Sequence, residues 1–461
     1  MTPSRRMGGI VTVGIVALIA AVIRFPAFLS PRHLNYDDGV YASSVLLMRH
    51  GLDPFRDFFS SQGPVFLPVL RLFDMLGIGG LRSSRLAMVA TGALLAVAMY
   101  LLARLDHDRP RSLVGGLLAA SSGILLISAG PLQSDGLALA LGLLALVTAL
   151  GDLEAQRWRA PSSGVLLALG VATKSLNLLP LAIVVIVVIA LHAGRRSIAE
   201  FWISGLIVGA AVTLVWDVGA VWEQYVTFHL AKQRSFDLVA NTGSLVTELW
   251  RGDLPLLILL GAGALLALGA RFDITGTRNR RLPTWILSGW LISTVVMIVL
   301  ITPVSDGFAR FAAFLLPPLI LVALRTRVPT NLALGFVLIA LPFQWALSPV
   351  TDVVDPSETE QQIIEVLEST PADSYVVTDQ QGLAWTADRM VYPSLVDTSF
   401  ARIETGSIVV DDVLASANDP RTCAFLARSG RFEAMGLAMV PPGFDRVSVE
   451  PGTVLAIKPG C

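Results

Sequence analysis

The stretch Asn35-Tyr36-Asp37-Asp38-Gly39-Val40-Tyr41 puts two adjacent carboxylates just after the first long apolar run of the chain. Neighbouring carboxylates repel, so such a pair calls for a cation, a shared proton or a reaction. The other reading is a solvated loop acid followed by a helix, since Asp caps helices well. As chemistry, a carboxylate within hydrogen-bond reach of a hydroxyl serves as a general base. That use assigns Asp37 as base and Asp38 as the orienting or second acid. A divalent cation between Asp37 and Asp38 is the alternative, because hard cations take carboxylate oxygens.

Other ionisable residues stand in apolar surroundings. The chain has three lysines, and Lys174 interrupts the long apolar stretch 163–191. An ionisable group there is a functional candidate, although a lysine near the membrane surface also snorkels to water. Asp135 follows Pro131-Leu132-Gln133-Ser134 and reads either as a helix cap favoured by the dipole or as an acceptor-side second acid. The fork of Arg310 matches phosphate oxygens; its other readings are a pair with Asp306 or a lipid headgroup. His229 is read as an interfacial helix residue or a substrate contact, beside Lys232 and Arg234. Trp222, Tyr225 and Trp250 read as interface-belt aromatics.

The elements that must carry these residues are apolar. Of 461 residues, 54% are hydrophobic and 15% charged, with a net charge of −1. That composition indicates a polytopic membrane protein, and the near-zero charge gives no basic surface for nucleic acid. Arg5 and Arg6 precede the run 10–23 without a small-residue cleavage site after it, which reads as a first membrane helix with a cytoplasmic N-terminus. Residues 30–85 form a first external loop whose piece 65–76 suits a helix lying in the interface. Spans follow at 86–103, 112–129 and 136–150. The stretch 163–191 is too long for one crossing of about 20 residues. Keeping Arg195 and Arg196 on the side of Arg104, Arg109 and Arg111 requires it to cross twice, turning near Lys174-Ser175. Further spans are 203–221, 254–270, 285–301, 308–324 and 332–347, with an external loop at 222–253. The total is about eleven transmembrane helices, which leaves the C-terminus outside.

From residue 350 the chain is polar enough to be soluble. Helical spacing at 358–369 and 409–417, a strand at 374–378, a turn at 379–382 and a hairpin at 447–457 predict a small extracytoplasmic α/β domain. Both cysteines, Cys423 and Cys461, lie in it, and an oxidising compartment would permit them to pair.

In order along the chain these features resemble the GT-C superfamily of membrane glycosyltransferases, on the branch of protein O-mannosyltransferases and the lipid A aminoarabinose transferase. Asp37-Asp38-Gly39-Val40-Tyr41 stands where that branch has an Asp-Glu pair and an aromatic. Arg56-Asp57-Phe58-Phe59-Ser60-Ser61-Gln62-Gly63-Pro64-Val65 is similar to its Arg-Asp-Phe-Phe-x-x-Lys-Pro-Pro-Leu. Gly170-Val171-Ala172-Thr173-Lys174 is similar to its Gly-x-Ala-x-x-Thr-Lys, and Arg310-Phe311 with Leu315-Leu316-Pro317-Pro318 to its Arg-Tyr…Leu-Pro-x-x-Pro. Leu395-Val396-Asp397-Thr398-Ser399 resembles the external domain of bacterial members. Gln62 departs from the pattern: it replaces a loop lysine that helps hold the donor phosphate, and Gln donates hydrogen bonds without charge.

The resemblance implies a GT-C transmembrane catalytic domain over 1–349 and a soluble domain over 350–461, in the plasma membrane. It implies inverting transfer of a sugar from a polyprenyl-phosphate donor to an extracytoplasmic hydroxyl of a protein, lipid or glycan, without a metal. Asp37 and Asp38 would be catalytic, Lys174 and Arg310 would bind the donor phosphate, and Tyr41, Arg56, Gln62 and His229 would line the substrate. Two rivals stay open. A transporter or flippase of lipid-linked sugar would show two repeated halves with interrupted helices, and an inactive scaffold would bind donor without turnover.

Overall fold

The computed structural model describes residues 3–153, 155–231, 237–269, 281–301, 311–326, 328–347, 353–437 and 440–461. The chain is mostly helical, with one small sheet, and divides into two compact units. The first comprises Met1–Pro26, Met88–Val212 and Arg234–Thr351; the second comprises Ala27–Ala87, Thr213–Gln233 and Asp352–Cys461.

The helices that concern the site are α1 (Pro3–Leu29), α2 (Tyr36–Arg49), α3 (Phe66–Asp74), α4 (Leu86–Ala103), α5 (Arg109–Ser121), α6 (Gly123–Ala129), α7 (Ser134–Ala149), α8 (Arg159–Val171), α9 (Ser175–His192) and α10 (Arg195–Leu214). Among the described residues, four stretches are long and apolar enough to cross a membrane: Gly9–Leu29, Gly80–Ala103, Ser175–His192 and Arg195–Leu214. On α10 the side chains of Trp202, Ile203, Leu206, Ile207 and Leu214 stand exposed, a surface that only lipid or protein would cover favourably. The protein is a membrane protein.

The first unit is a helical body with an apolar core that includes Leu95, Leu139, Leu143, Leu178, Val185 and Phe314. The expected hairpin is present: α8 ends at Val171, Lys174 adopts an extended conformation, and α9 begins at Ser175. Leu178 seats α9 against its neighbours, because a Cβ on Gly142 of α7 or on Gly170 of α8 would lie 2.7 and 2.9 Å from its methyl groups. Two glycines thus let α7 and α8 approach the lysine end of α9.

Two expectations change here. The segment 112–129 is broken at Ser122, whose hydroxyl caps Leu125 N–H at 3.1 Å, and α5 and α6 meet at 58°. The predicted loop 222–253 is largely helical, with a π-helical turn at Trp222–Thr227, then Phe228–Ala231 and Leu238–Gly252. Asn241 and Leu245, one turn apart, bury one face of that last helix, and it meets Leu254–Leu266 at 100°. Its polar face disguised a helix as a loop.

The second unit is built on a five-stranded sheet, with β1 (Tyr375–Thr378), β2 (Met390–Val391), β3 (Thr422–Ala427), β4 (Asp445–Val447) and β5 (Val454–Ile457) in the order β2-β1-β3-β5-β4. β1 pairs parallel with β2 and β3, while β5 is antiparallel to β3 and β4. Side chains alternate across the strands: Val376, Ala424 and Leu426 pack with Ile363, Leu367 and Leu383 on one face, Val377 and Phe425 with Leu395, Val413 and Phe432 on the other. Burial on both faces explains why β1 reads as an unbroken apolar run. The predicted turn at 379–382 instead starts a helix, Gln381–Thr386. Cys423 on β3 is bonded to the terminal Cys461.

In this unit the sheet segment packs against the segment 30–85. Gly39 of α2 lies against the helix Gln381–Thr386 so closely that a Cβ would be 2.7 Å from the Gly382 nitrogen. Ser43 Oγ donates to the Gln381 carbonyl at 3.0 Å. The described part of the 213–233 segment joins them, with Gln224 accepting from Ser60 N–H at 2.8 Å and donating to the Phe55 carbonyl at 2.9 Å.

Candidate functional site

The acid pair heads α2. Asn35 caps the helix by accepting from Asp38 N–H at 2.9 Å, and both acids fall in the first turn, where the dipole favours negative charge. Their side chains then part. Asp38 is fully buried, and its Oδ2 accepts from Arg85 Nη2 at 2.5 Å and from Leu34 N–H at 2.9 Å. Arg85, equally buried, donates to the carbonyls of Ser30 at 2.6 Å and Arg32 at 2.7 Å and lies over the Trp385 ring at 4.9 Å. Asp37 is half-buried beside it. The Asp38 charge is therefore compensated within the protein.

Around this pair His33 is buried, its ring filling the space over Gly382, where a Cβ would sit 2.1 Å away. Burial pushes its pKa down, against the pull of Asp38, and Arg32 adds to the lowering. Tyr41 is buried with its ring edge on Phe66 at 5.1 Å. Its hydroxyl accepts from Gln62 Nε2 at 2.5 Å, and the same amide reaches Ser61 Oγ at 3.2 Å. The structure thus joins Tyr41 and Gln62 in one buried set. Arg56 is exposed and forks onto Asp57 at 3.0 and 3.1 Å, with Asp53 at 2.8 Å, so its described partners belong to its own loop. His229 is half-exposed between the rings of Phe228 and Tyr225, and Phe228 stacks edge-on to Phe59 at 5.1 Å.

In the first unit a second cluster forms at the head of α7 and α9. Asp135 is buried in the first turn of α7; its Oδ1 accepts from Asn177 Nδ2 at 2.9 Å. Lys174 Nζ lies 3.8 Å from Asp135 Oδ2. That distance is a Coulombic contact rather than a charge-assisted hydrogen bond of about 2.7–2.9 Å. Lys174 and Asp135, separate in the sequence reading, belong to one cluster. A cation at a helix N-terminus opposes the dipole, and Asp135 offsets that. Arg310, Asp306, Lys232 and Arg234 lie outside the described residues.

Sequence reasoning missed Arg85, Asn177 and Tyr36. Arg85 carried a usable signal: Arg82 and Arg85 sit on the expected external side, against the bias that keeps arginines inside. Asn177 and Tyr36 carried none. Among the described residues no group of three or more His, Cys, Asp or Glu could hold a metal ion.

Residues 61–218 match the family model described as dolichyl-phosphate-mannose-protein mannosyltransferase. No curated protein sequence matches the chain. Among solved structures, ArnT from Cupriavidus metallidurans in the apo state is 15% identical with a TM-score of 0.66, covering 98% of this chain and 98% of that one. The same enzyme bound to undecaprenyl phosphate gives 14% identity and 0.67, covering 97% and 98%. The Archaeoglobus fulgidus oligosaccharyltransferase, in complex with Zn and sulfate, gives 14% identity and 0.51 over 97% of this chain and 73% of that one.

Proposed function

We propose that this chain, whose fold is that of the GT-C membrane glycosyltransferases, transfers a sugar from a polyprenyl-phosphate donor to an extracytoplasmic hydroxyl. The observation that carries the reading is the parting of the two acids. Asp38 is neutralised by Arg85 in a fully buried pair, and the proton-accepting role is assigned to its half-buried neighbour Asp37. The acceptor oxygen attacks the anomeric carbon, Asp37 takes its proton, and the polyprenyl phosphate leaves with the bonding electrons from the opposite face, giving inversion. The acceptor is a protein, lipid or glycan. The ArnT complex with undecaprenyl phosphate, matched along almost the full length of both chains, supports a lipid-phosphate donor.

Lys174, which Asp135 faces at 3.8 Å, Arg310 or both are assigned to the departing phosphate, in place of the charge that Gln62 lacks. The Asp38–Arg85 pair also weakens the case for a cation shared by Asp37 and Asp38, so no metal is assigned. Incubating the purified chain with a panel of radiolabelled undecaprenyl-phosphate hexoses and pentoses and membrane acceptors tests the function. Product formation supports it; movement of donor across a vesicle without product would mark a transporter, and retention alone a scaffold.

Lys174→Met is expected to weaken undecaprenyl-phosphate binding about 10- to 100-fold, the worth of one hydrogen bond to a charged group. Isothermal titration in detergent measures it. Unchanged affinity in both Lys174→Met and Arg310→Met rules the assignment out.

The chain crosses the plasma membrane about eleven times in this reading, with 350–461 as an extracytoplasmic domain. The Cys423–Cys461 bond supports that side, because disulfides persist in oxidising compartments. Protease shaving of intact spheroplasts should release a fragment starting near residue 350; full protection would reverse the topology.

A further inference from the structure

The motif Leu395-Val396-Asp397-Thr398-Ser399 has no part in the chemistry above, yet Asp397 meets the residue that precedes Asp37. Tyr36 Oη donates to Asp397 Oδ1 at 3.2 Å and lies 3.4 Å from Thr398 Oγ1. The Arg431 guanidinium covers the Tyr36 ring at 3.7 Å and the Phe400 ring at 5.1 Å. Both partners are themselves fixed: Asp397 is buried and its carbonyl accepts from Arg402 at 2.7 Å, while Thr398 Oγ1 accepts from Gln381 at 2.8 Å.

Arg431 is held from the end of β1. Asp379, fully buried where β1 ends, accepts from the backbone N–H groups of Arg428 at 2.9 Å, Ser429 at 3.2 Å and Arg431 at 3.2 Å. Amides of one turn that point to one side make an anion-binding concavity, with Gly430 in the left-handed region at φ 75° within the turn. Here the protein fills that concavity with its own carboxylate, which ties down the loop after β3 that carries Arg431. Burial and then the Asp397 carboxylate push the Tyr36 phenol well above its ordinary pKa, which keeps it a donor at any physiological pH.

We propose that Tyr36, Asp397 and Arg431 form a latch by which the C-terminal α/β segment positions Asp37 at the head of α2. They are positioning residues: each acts through Tyr36, one peptide bond from Asp37. The latch gains its catalytic purpose from the assignment of Asp37 as base.

The full-length protein in detergent tests it through Tyr36→Phe, which keeps the ring and loses the hydroxyl, and through Arg431→Met and Arg431→Lys. Hydrogen exchange should accelerate over 35–41 in Tyr36→Phe and Arg431→Met but not over α7–α9. Turnover of the labelled undecaprenyl-phosphate sugar that the wild type accepts should fall about 10- to 100-fold, the usual effect of a slightly misplaced catalytic group. KM for that donor should stay unchanged, and Arg431→Lys, which keeps a cation over the ring, should recover most of the rate. Wild-type exchange over 35–41 in both variants overturns the latch, as does loosening of that segment with kcat unchanged. Wild-type transfer by Asp37→Asn is a separate outcome: it defeats the base assignment while the exchange result still decides the latch.

Discussion

Replacing Asp37 by Asn is expected to abolish most sugar transfer, with a loss of about 10²–10⁴ in rate, the range of a general base. The fold should survive. Asn35, not Asp37, caps α2, so the substitution keeps the cap, and the favourable charge it removes from the first helical turn is worth about 0.3–1 kcal/mol. Asn keeps the shape and cannot accept the proton, which isolates the chemistry. The check is turnover of labelled undecaprenyl-phosphate sugar beside a titration of undecaprenyl phosphate itself. Transfer near the wild-type rate would move the base elsewhere, with Asp135 next in line. A chelator should leave the wild-type rate unchanged, since the shared-cation reading alone predicts its loss.

Asp38→Asn is expected to behave differently, as a lesion of structure. The Asp38 and Arg85 side chains are both fully buried and 2.5 Å apart. Removing one partner of a buried pair leaves the other charge without compensation and costs about 3–5 kcal/mol. Arg85→Met should cost about as much by the same argument. The double variant Asp38→Asn/Arg85→Met should recover a large part of the loss, because no lone buried charge remains. Thermal unfolding of the four proteins in one detergent gives the coupling directly. Additive losses would show that the two side chains stabilise the protein independently, and the parting of the acids would then lose its electrostatic basis. The pair of predictions separates neighbours one residue apart: Asp37 should register in rate, Asp38 in stability.

Much of this protein follows from local pattern. Apolar runs of membrane length, the apolar run of β1 and the hairpin around Pro451-Gly452 depend on residues a few positions apart, and local pattern records them. The turn at Lys174 follows from where the arginines fall along the chain. The acid pair was legible for the same reason, as two like charges in sequence contact. The helices at 222–227 and 238–252 were not, because their polar faces look like loop when their packing partners are unknown. Nor could sequence divide the labour between Asp37 and Asp38. That depends on Arg85, 47 residues away, just as the use of Lys174 depends on Asp135, which meets Asn177 across 42 residues. The latch joins Tyr36 to Asp397 across 361 residues. A charge's fate is set by what packing leaves beside it once water is gone. Composition and spacing select the residues able to do chemistry; only the tertiary structure decides which carboxylate a buried partner neutralises.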